Sequence, residues 1–95
     1  MNWIILQMIK ITFTEQAFEE YVFWQTQDKK TLKKINILLK DIVRNPFEGI
    51  GKPEELKNKY NGFWSRRIDE KNRIIYKIEN EIIEIYQCRG HYEDK

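Results

Sequence analysis

The chain has 95 residues, 41% of them hydrophobic and 34% charged, with a net charge of +2. This is one domain's length, too short for a Rossmann fold, a TIM barrel or a large sandwich, and no run approaches the roughly 18 apolar residues of a membrane span. The single Cys88 excludes an intramolecular disulfide framework and fits a reducing compartment.

The opening Met1-Asn2-Trp3-Ile4-Ile5-Leu6-Gln7-Met8 lacks the basic start of a signal peptide. Residues 9–13 alternate apolar and polar, which predicts a short strand. Thr14 is a good helix N-cap with Glu15 in the first turn. Phe18, Tyr21, Val22 and Gln25 then recur at helical spacing, widened by Phe23 and Trp24. After Asp28 a second helix is predicted over 30–44, where Leu32, Ile35, Leu38, Leu39, Ile42 and Val43 form one stripe. Asn45-Pro46 stops it, and both prolines and two glycines fall in the loop 46–54. Asn61-Gly62 predicts a hairpin between strands at 56–60 and 63–68. Turns at 69–72 and 79–81 bound a strand at 73–78, and a last strand runs over 82–92. The order β-α-α-β-β-β-β makes an α+β domain, a helical hairpin on one face of a small, mostly antiparallel sheet.

Charge is distributed unevenly along this layout. Residues 29–73 carry thirteen Lys/Arg against six Asp/Glu, or +7, while the rest of the chain sums to −5. A basic middle between acidic ends suits a polyanionic partner, although a lysine-rich helix face is also ordinary in proteins without one. Helices cover one face and leave the other open. Arg66 or Arg67, Arg73, Arg89 and His91 are polar strand residues that alternation sends to one face or the other, with the register across strands left open by the sequence. The carboxylate of Glu54, the lone His91 and several arginines are the groups that acid–base cleavage of a phosphodiester requires. One removes a proton from the attacking hydroxyl, another protonates the leaving oxygen, and cations stabilise the charge building on phosphorus. One His and one Cys make no structural zinc site, and no phosphate-binding or dinucleotide glycine loop is present. From the residues alone, the reading ends at a small basic α/β domain directed at RNA.

Several runs carry a closer resemblance. They are Lys33-Lys34-Ile35-Asn36, Asn45-Pro46-Phe47-Glu48-Gly49-Ile50-Gly51-Lys52-Pro53-Glu54, Gly62-Phe63-Trp64-Ser65-Arg66-Arg67-Ile68, Asn72-Arg73-Ile74-Ile75-Tyr76 and His91-Tyr92. Together, over residues 8–92, they resemble the YoeB-type toxins of the RelE superfamily, whose fold is a RelE-like microbial ribonuclease fold. On this resemblance, 1–7 is an N-terminal extension and 93–95 a C-terminal tail of a single domain.

The resemblance implies a toxin of a type II toxin–antitoxin pair, a ribosome-dependent endoribonuclease that cuts mRNA in the ribosomal A site and leaves a 2′,3′-cyclic phosphate. By motif, Glu54 is then the general base, His91 the general acid, Arg73 the transition-state cation and Tyr92 a substrate-positioning residue. Lys57, Arg67, Arg66 and Lys52 line the site and hold RNA. No metal or cofactor is implied. The implied partners are a YefM-like antitoxin, the ribosome with its RNA, mRNA, promoter DNA through the antitoxin complex, and a second copy in a homodimer. No membrane is implied, and the location is the bacterial cytoplasm. Two other readings remain: an attenuated homologue serving mainly in an antitoxin–promoter complex, and a ribosome-independent ribonuclease. The complete Glu54, Arg73, His91 and Tyr92 set speaks against the first of these. The acidic Glu93-Asp94 beyond His91-Tyr92 departs from the family's usual ending.

Overall fold

The computed structural model describes residues 10–91. Strand β1 (Lys10–Phe13) passes through Thr14 into helix α1 (Glu15–Gln27), and α2 (Lys29–Arg44) follows directly. Thr14 Oγ1 accepts the Ala17 N–H at 3.1 Å and donates to the Tyr86 carbonyl at 3.3 Å, so one hydroxyl caps α1 and ties it to the sheet. Replacing Thr14 with alanine is expected to cost about 1 kcal/mol. Thermal unfolding would read this as a fall of roughly 4–8 °C in Tm.

Asp28 serves two helices. Its N–H donates to Trp24 O and closes α1, while its carboxylate accepts from Lys30 N and Thr31 N and opens α2. The Thr31 hydroxyl, then the backbone donors, hold that carboxyl below the usual range. A single residue between helices forces them antiparallel, and the Tyr21 hydroxyl donates to Asn36 Oδ1 at 2.7 Å across the pair.

The remaining elements are β2 (Glu54–Glu55), a 3-10 turn (Asn58–Tyr60), β3 (Trp64–Arg67), β4 (Arg73–Glu79) and β5 (Ile82–Gln87). The sheet order is β1-β5-β4-β3-β2, with β1 parallel to β5 and every other pair antiparallel. The two helices thus carry the chain from one sheet edge to the other, and a meander brings it back. Ile35, Leu38, Leu39 and Ile42 of α2 bury against Ile74, Tyr76, Ile83 and Ile85 of the sheet, with Ala17 and Trp24 of α1. The helical hairpin on one face of a mostly antiparallel sheet is as the sequence predicts.

Three local expectations are corrected. The first is the strand at 56–60. Leu56 N–H still bonds Phe63 O at 2.9 Å, but the chain then leaves the ladder for the 3-10 turn, with Asn58 at φ 60°. Asn61-Gly62 forms a turn closed by Phe63 N–H to Tyr60 O, with Asn61 at φ −56°, ψ 132° and Gly62 at φ 94°. That is the type II pattern, whereas a two-residue hairpin uses a type I′ or II′ turn, each with positive φ at its first centre. Lys57-Asn58-Lys59 lacks the alternating apolar side chains that would hold a strand on this face.

The second correction is the last strand, which ends at Gln87, so Arg89 and His91 are not strand residues. The register slips between Ile75 and Tyr76, whose partners are Gln87 and Ile85, leaving Tyr86 as the extra residue of a β-bulge. The third is the buried face of α1. Phe18 and Val22 are exposed, and the buried positions are Ala17, Glu20 and Trp24. Glu20 is drawn inside because its carboxylate accepts the Cys88 N–H at 2.8 Å. The expectations for Ile9, Tyr92, the extension and the tail fall outside the described residues.

Candidate active site on the open sheet face

Ladder register and strand alternation decide which side chains share the uncovered face. Ile74 and Tyr76 face the helices, so Arg73, Ile75 and Lys77 face away from them. Arg67 lies opposite Arg73, Ser65 opposite Ile75, and Glu54 opposite Ser65. Glu54, Arg67 and Arg73 therefore stand on one face. Strand spacing and rise put roughly 12 Å between the Cα atoms of Glu54 and Arg73, room for their long side chains to flank one phosphodiester. Beneath them Leu56, Ser65, Ile75 and Gln87 are buried although they lie outside the helix-side core. The segment 54–60 lines a groove of about 620 Å³ beside this floor.

Arg67 and Arg73 form a like-charge pair directly across the ladder, an arrangement that ordinarily destabilises a sheet. Neither forms a salt bridge among the described residues. Arg73 Nη1 donates to the carbonyls of Asp69, Glu70 and Asn72, which leans the guanidinium on the turn before β4. Its Nη2 and Nε make no hydrogen bond among the described residues, leaving three N–H groups to donate to an anion. Glu54, Lys57, Lys52 and Arg67 are exposed, and their side chains likewise make no hydrogen bond or ion pair among the described residues.

His91 reaches this face through the chain that follows β5. Trp24 Nε1 donates to Cys88 O at 2.9 Å, and the Arg89 guanidinium lies 3.7 Å from the Phe23 ring centroid, fastening the exit of β5 to α1. That contact directs Arg89 to α1 instead of the open face. Gly90, at φ 81°, then turns the chain back. Its carbonyl accepts the Arg73 N–H at 3.0 Å and Gln87 Nε2 at 3.1 Å, and its N–H donates to Asn72 Oδ1 at 2.7 Å. The backbone of half-buried His91 is thereby held at the start of β4, next to Arg73. Tyr92 lies outside the described residues.

Arg66 is a correction to the expected RNA-binding set. It is fully buried on the helix side, and all five of its N–H groups are engaged. Nε donates to Tyr76 Oη, Nη1 to Asp41 Oδ2 at 2.5 Å and Ile50 O, and Nη2 to the carbonyls of Asn45 and Glu48. No donor is left for a ligand. The hydrogen bond from Arg66, followed by that from Ile50 N–H, holds the Asp41 carboxyl below the usual range. Tyr76 Oη in turn donates to Pro46 O at 2.5 Å, and burial pushes its phenol up. Arg66 thus pins the loop 45–50, upstream of Glu54, to α2. Strand alternation required one of Arg66 and Arg67 to face the helices, and Asp41, three residues beyond Leu38 at the edge of the α2 stripe, was the available partner. Of the framing residues Asp69, Asn72, Gln87 and Gly90, only Asn72 falls in a run that carries the resemblance, and the sequence assigned no role to any of them.

Among the described residues no group of His, Cys, Asp or Glu is placed to hold a metal ion, and no helix is long and apolar enough to cross a membrane.

Residues 13–92 match the family of YoeB-like toxins of bacterial type II toxin–antitoxin systems. A Synechocystis protein, Toxin YoeB, is 49% identical over 85 residues, covering 90% of this chain and 99% of its own length. The YoeB dimer from Staphylococcus aureus superposes with a TM-score of 0.82 at 50% identity, over 88% of this chain and 98% of that one. The heterotetrameric YoeB–YefM toxin–antitoxin complex from the same organism contains a chain that superposes with a TM-score of 0.81, also at 50% identity and the same coverage. With the fold, the chain length and most of the sequence matching in concert, the chain belongs to the YoeB-like toxins of the RelE superfamily.

Proposed function

We propose that this toxin is an endoribonuclease that cuts mRNA in the A site of the ribosome and so stops translation. The observation that carries the reading is the Arg67–Arg73 pair on the open face, which forms no salt bridge among the described residues and is flanked by Glu54 and by the segment bearing His91. Two guanidiniums set side by side with no carboxylate bridging them among the described residues favour a phosphate between them.

In this mechanism Glu54 takes the proton of the RNA 2′-hydroxyl. The freed oxygen attacks the adjacent phosphorus, and the bond from phosphorus to the 5′-oxygen breaks. His91 gives its proton to that leaving oxygen, so the products are a 2′,3′-cyclic phosphate and a 5′-hydroxyl. Arg73 stabilises the dianionic phosphorane through Nη2 and Nε, and Arg67, Lys57 and Lys52 hold flanking phosphates. Tyr92 positions the nucleotide. The substrate supplies its own nucleophile, so no covalent enzyme intermediate and no metal enter the steps. The ribosome contributes by holding the mRNA bent for in-line attack. Lys29, Lys30, Lys33, Lys34 and Lys40 are exposed on α2 and contact ribosomal RNA.

The S. aureus YoeB relatives are seen as a dimer and with YefM. By that analogy the partners of this chain are a YefM-like antitoxin whose acidic arm covers the basic face, and a second copy of the chain. Promoter DNA is reached only through the antitoxin complex, and the toxin acts in the bacterial cytoplasm.

The test adds the purified chain to a bacterial translation extract and maps reporter mRNA ends by primer extension, beside the same mRNA without ribosomes. Cuts confined to A-site codons and absent from naked RNA are expected. Cutting of naked RNA would replace this reading with a ribosome-independent ribonuclease. No cutting in either sample by folded protein would leave an attenuated homologue acting through its complex.

A further inference from the structure

The turn before β4 holds more than its own backbone. Asp69 Oδ1 accepts the N–H groups of Lys71 and Asn72 at 2.8 and 2.7 Å. Both its carboxylate oxygens accept Asn72 Nδ2, at 3.1 and 3.0 Å. The amide of Asn72 is thereby oriented, since its nitrogen must face the carboxylate and its oxygen must face the other way. That oxygen accepts the Gly90 N–H at 2.7 Å, across 18 residues of sequence. Burial pushes the Asp69 carboxyl up, but the Asn72 side chain and the backbone donors outweigh it and keep it below the usual range, hence charged. Asn72 lies immediately before Arg73, and Gly90 immediately before His91.

We propose that Asn72 is a positioning residue, which, oriented by Asp69, latches Gly90 and so sets His91 at the distance from Arg73 that cleavage requires. The inference rests on the cleavage mechanism above, and it adds two residues, Asp69 and Asn72, that touch no substrate. The Arg73 N–H and Gln87 Nε2 both meet the single Gly90 carbonyl oxygen, so these two bonds hold the segment at one atom and leave it able to pivot there. The Asn72 bond adds a second point on the same peptide segment, and two points fix a direction. An acid must sit within hydrogen-bond reach of the oxygen it protonates, so a displacement of about 1 Å costs on the order of 10²-fold.

The chemistry of the pair supplies a rescue that simple destabilisation does not. In Asn72→Asp the acceptor for Gly90 survives, but a carboxylate replaces the amide nitrogen opposite Asp69, and like charges repel. In the double variant Asp69→Asn, Asn72→Asp the donor and acceptor are exchanged. The latch then re-forms, with the amide now at position 69 donating to the carboxylate now at position 72.

The experiment measures single-turnover cleavage on programmed ribosomes, ribosome binding by co-sedimentation, and NMR spectra of the free toxin. In the NMR spectra the Gly90 amide exchange and the His91 ring shifts are followed. Asn72→Ala is expected to lower the cleavage rate about 10–100-fold with ribosome binding unchanged, to accelerate Gly90 amide exchange and to move the His91 ring signals. Asn72→Asp is expected to fall similarly, and the double variant to recover at least about tenfold over it. Unchanged Gly90 exchange and His91 signals in Asn72→Ala overturn the proposal, as does cleavage at the wild-type rate or the absence of recovery in the exchanged pair. If wild-type toxin fails to cut on ribosomes, the mechanism above falls. The NMR arm still decides whether Asn72 sets His91.

Discussion

Under the proposed mechanism, replacing Arg73 with alanine is expected to lower mRNA cleavage on the ribosome by about 10²–10³-fold, equivalent to about 2.7–4 kcal/mol of transition-state stabilisation, while the toxin stays folded. The fold survives because Arg73 Nη1 contacts only carbonyls of an exposed turn, which water satisfies after the change. The rate is expected to fall because, in that mechanism, Nη2 and Nε keep three N–H groups that are uncommitted among the described residues for the phosphorane, and the substitution removes them. Glu54→Gln and His91→Gln each remove a proton-transfer step, with an expected loss of about 10²–10⁴-fold. Arg73→Lys keeps the charge but loses the planar fork, so it recovers only part of the rate. Ribosome binding should hardly change in any of these variants, because the exposed lysines of α2 are untouched. Wild-type cleavage in Arg73→Ala would remove it from the mechanism. A matching loss of ribosome binding would make it a docking residue instead.

Arg66→Met is expected to destabilise the protein by about 3 kcal/mol, because it deletes the buried member of an ion pair whose carboxylate is partly exposed and removes the donors of several carbonyls. The change leaves Asp41 without its partner and strands the carbonyls of Asn45, Glu48 and Ile50. Domains of this size have total stabilities of roughly 5–15 kcal/mol, so much of the margin is consumed. Thermal unfolding should show a Tm lowered by at least about 12 °C, and a fall of only a few degrees would show that other contacts hold the 45–50 loop. The adjacent Arg67→Met should leave Tm nearly unchanged, since Arg67 is exposed.

The same pair sets an acid sensitivity. Asp41 is held below its unfolded value by Arg66, so its contribution to stability is full above the ordinary carboxylate range and is lost as pH falls through the lowered value. Asp41→Asn should therefore show lower stability at neutral pH and a shallower decline towards acid.

Arg66 and Arg67 illustrate the boundary between what sequence alone decides and what needs the folded chain. The local rules were sufficient for the helices. The α2 stripe, the Thr14 cap, the Asp28 break and the Asn45-Pro46 stop all act within a few residues, and the helical hairpin follows from them. Four of the five strands and the covered face were also legible, because hydrophobic alternation reports burial directly, whereas Glu54–Glu55 was missed in favour of 56–60. Which of two consecutive arginines turns inward was not, since period-two alternation is satisfied by either register until the strand is paired. The same limit applies to Asn61-Gly62, a strong hairpin signal that folds as a type II turn because the side chains at 57–59 give no strand to pair.

The residues named for the site came from motif spelling, and spacing alone left them as scattered polar groups. Tertiary structure places Glu54 two strands from Arg73 and brings Gly90 against Asn72 across 18 residues. It also buries Glu20 because a backbone N–H at Cys88 needs an acceptor there. Each of these is a long-range hydrogen bond or a ladder register. The sequence by itself determined the two helices, four of the five strands, the layer order and the chemical groups on offer. Only the tertiary structure decided which cation is structural, which are turned to the open face, and what holds the segment before His91 against β4, because those choices depend on partners that local pattern cannot see.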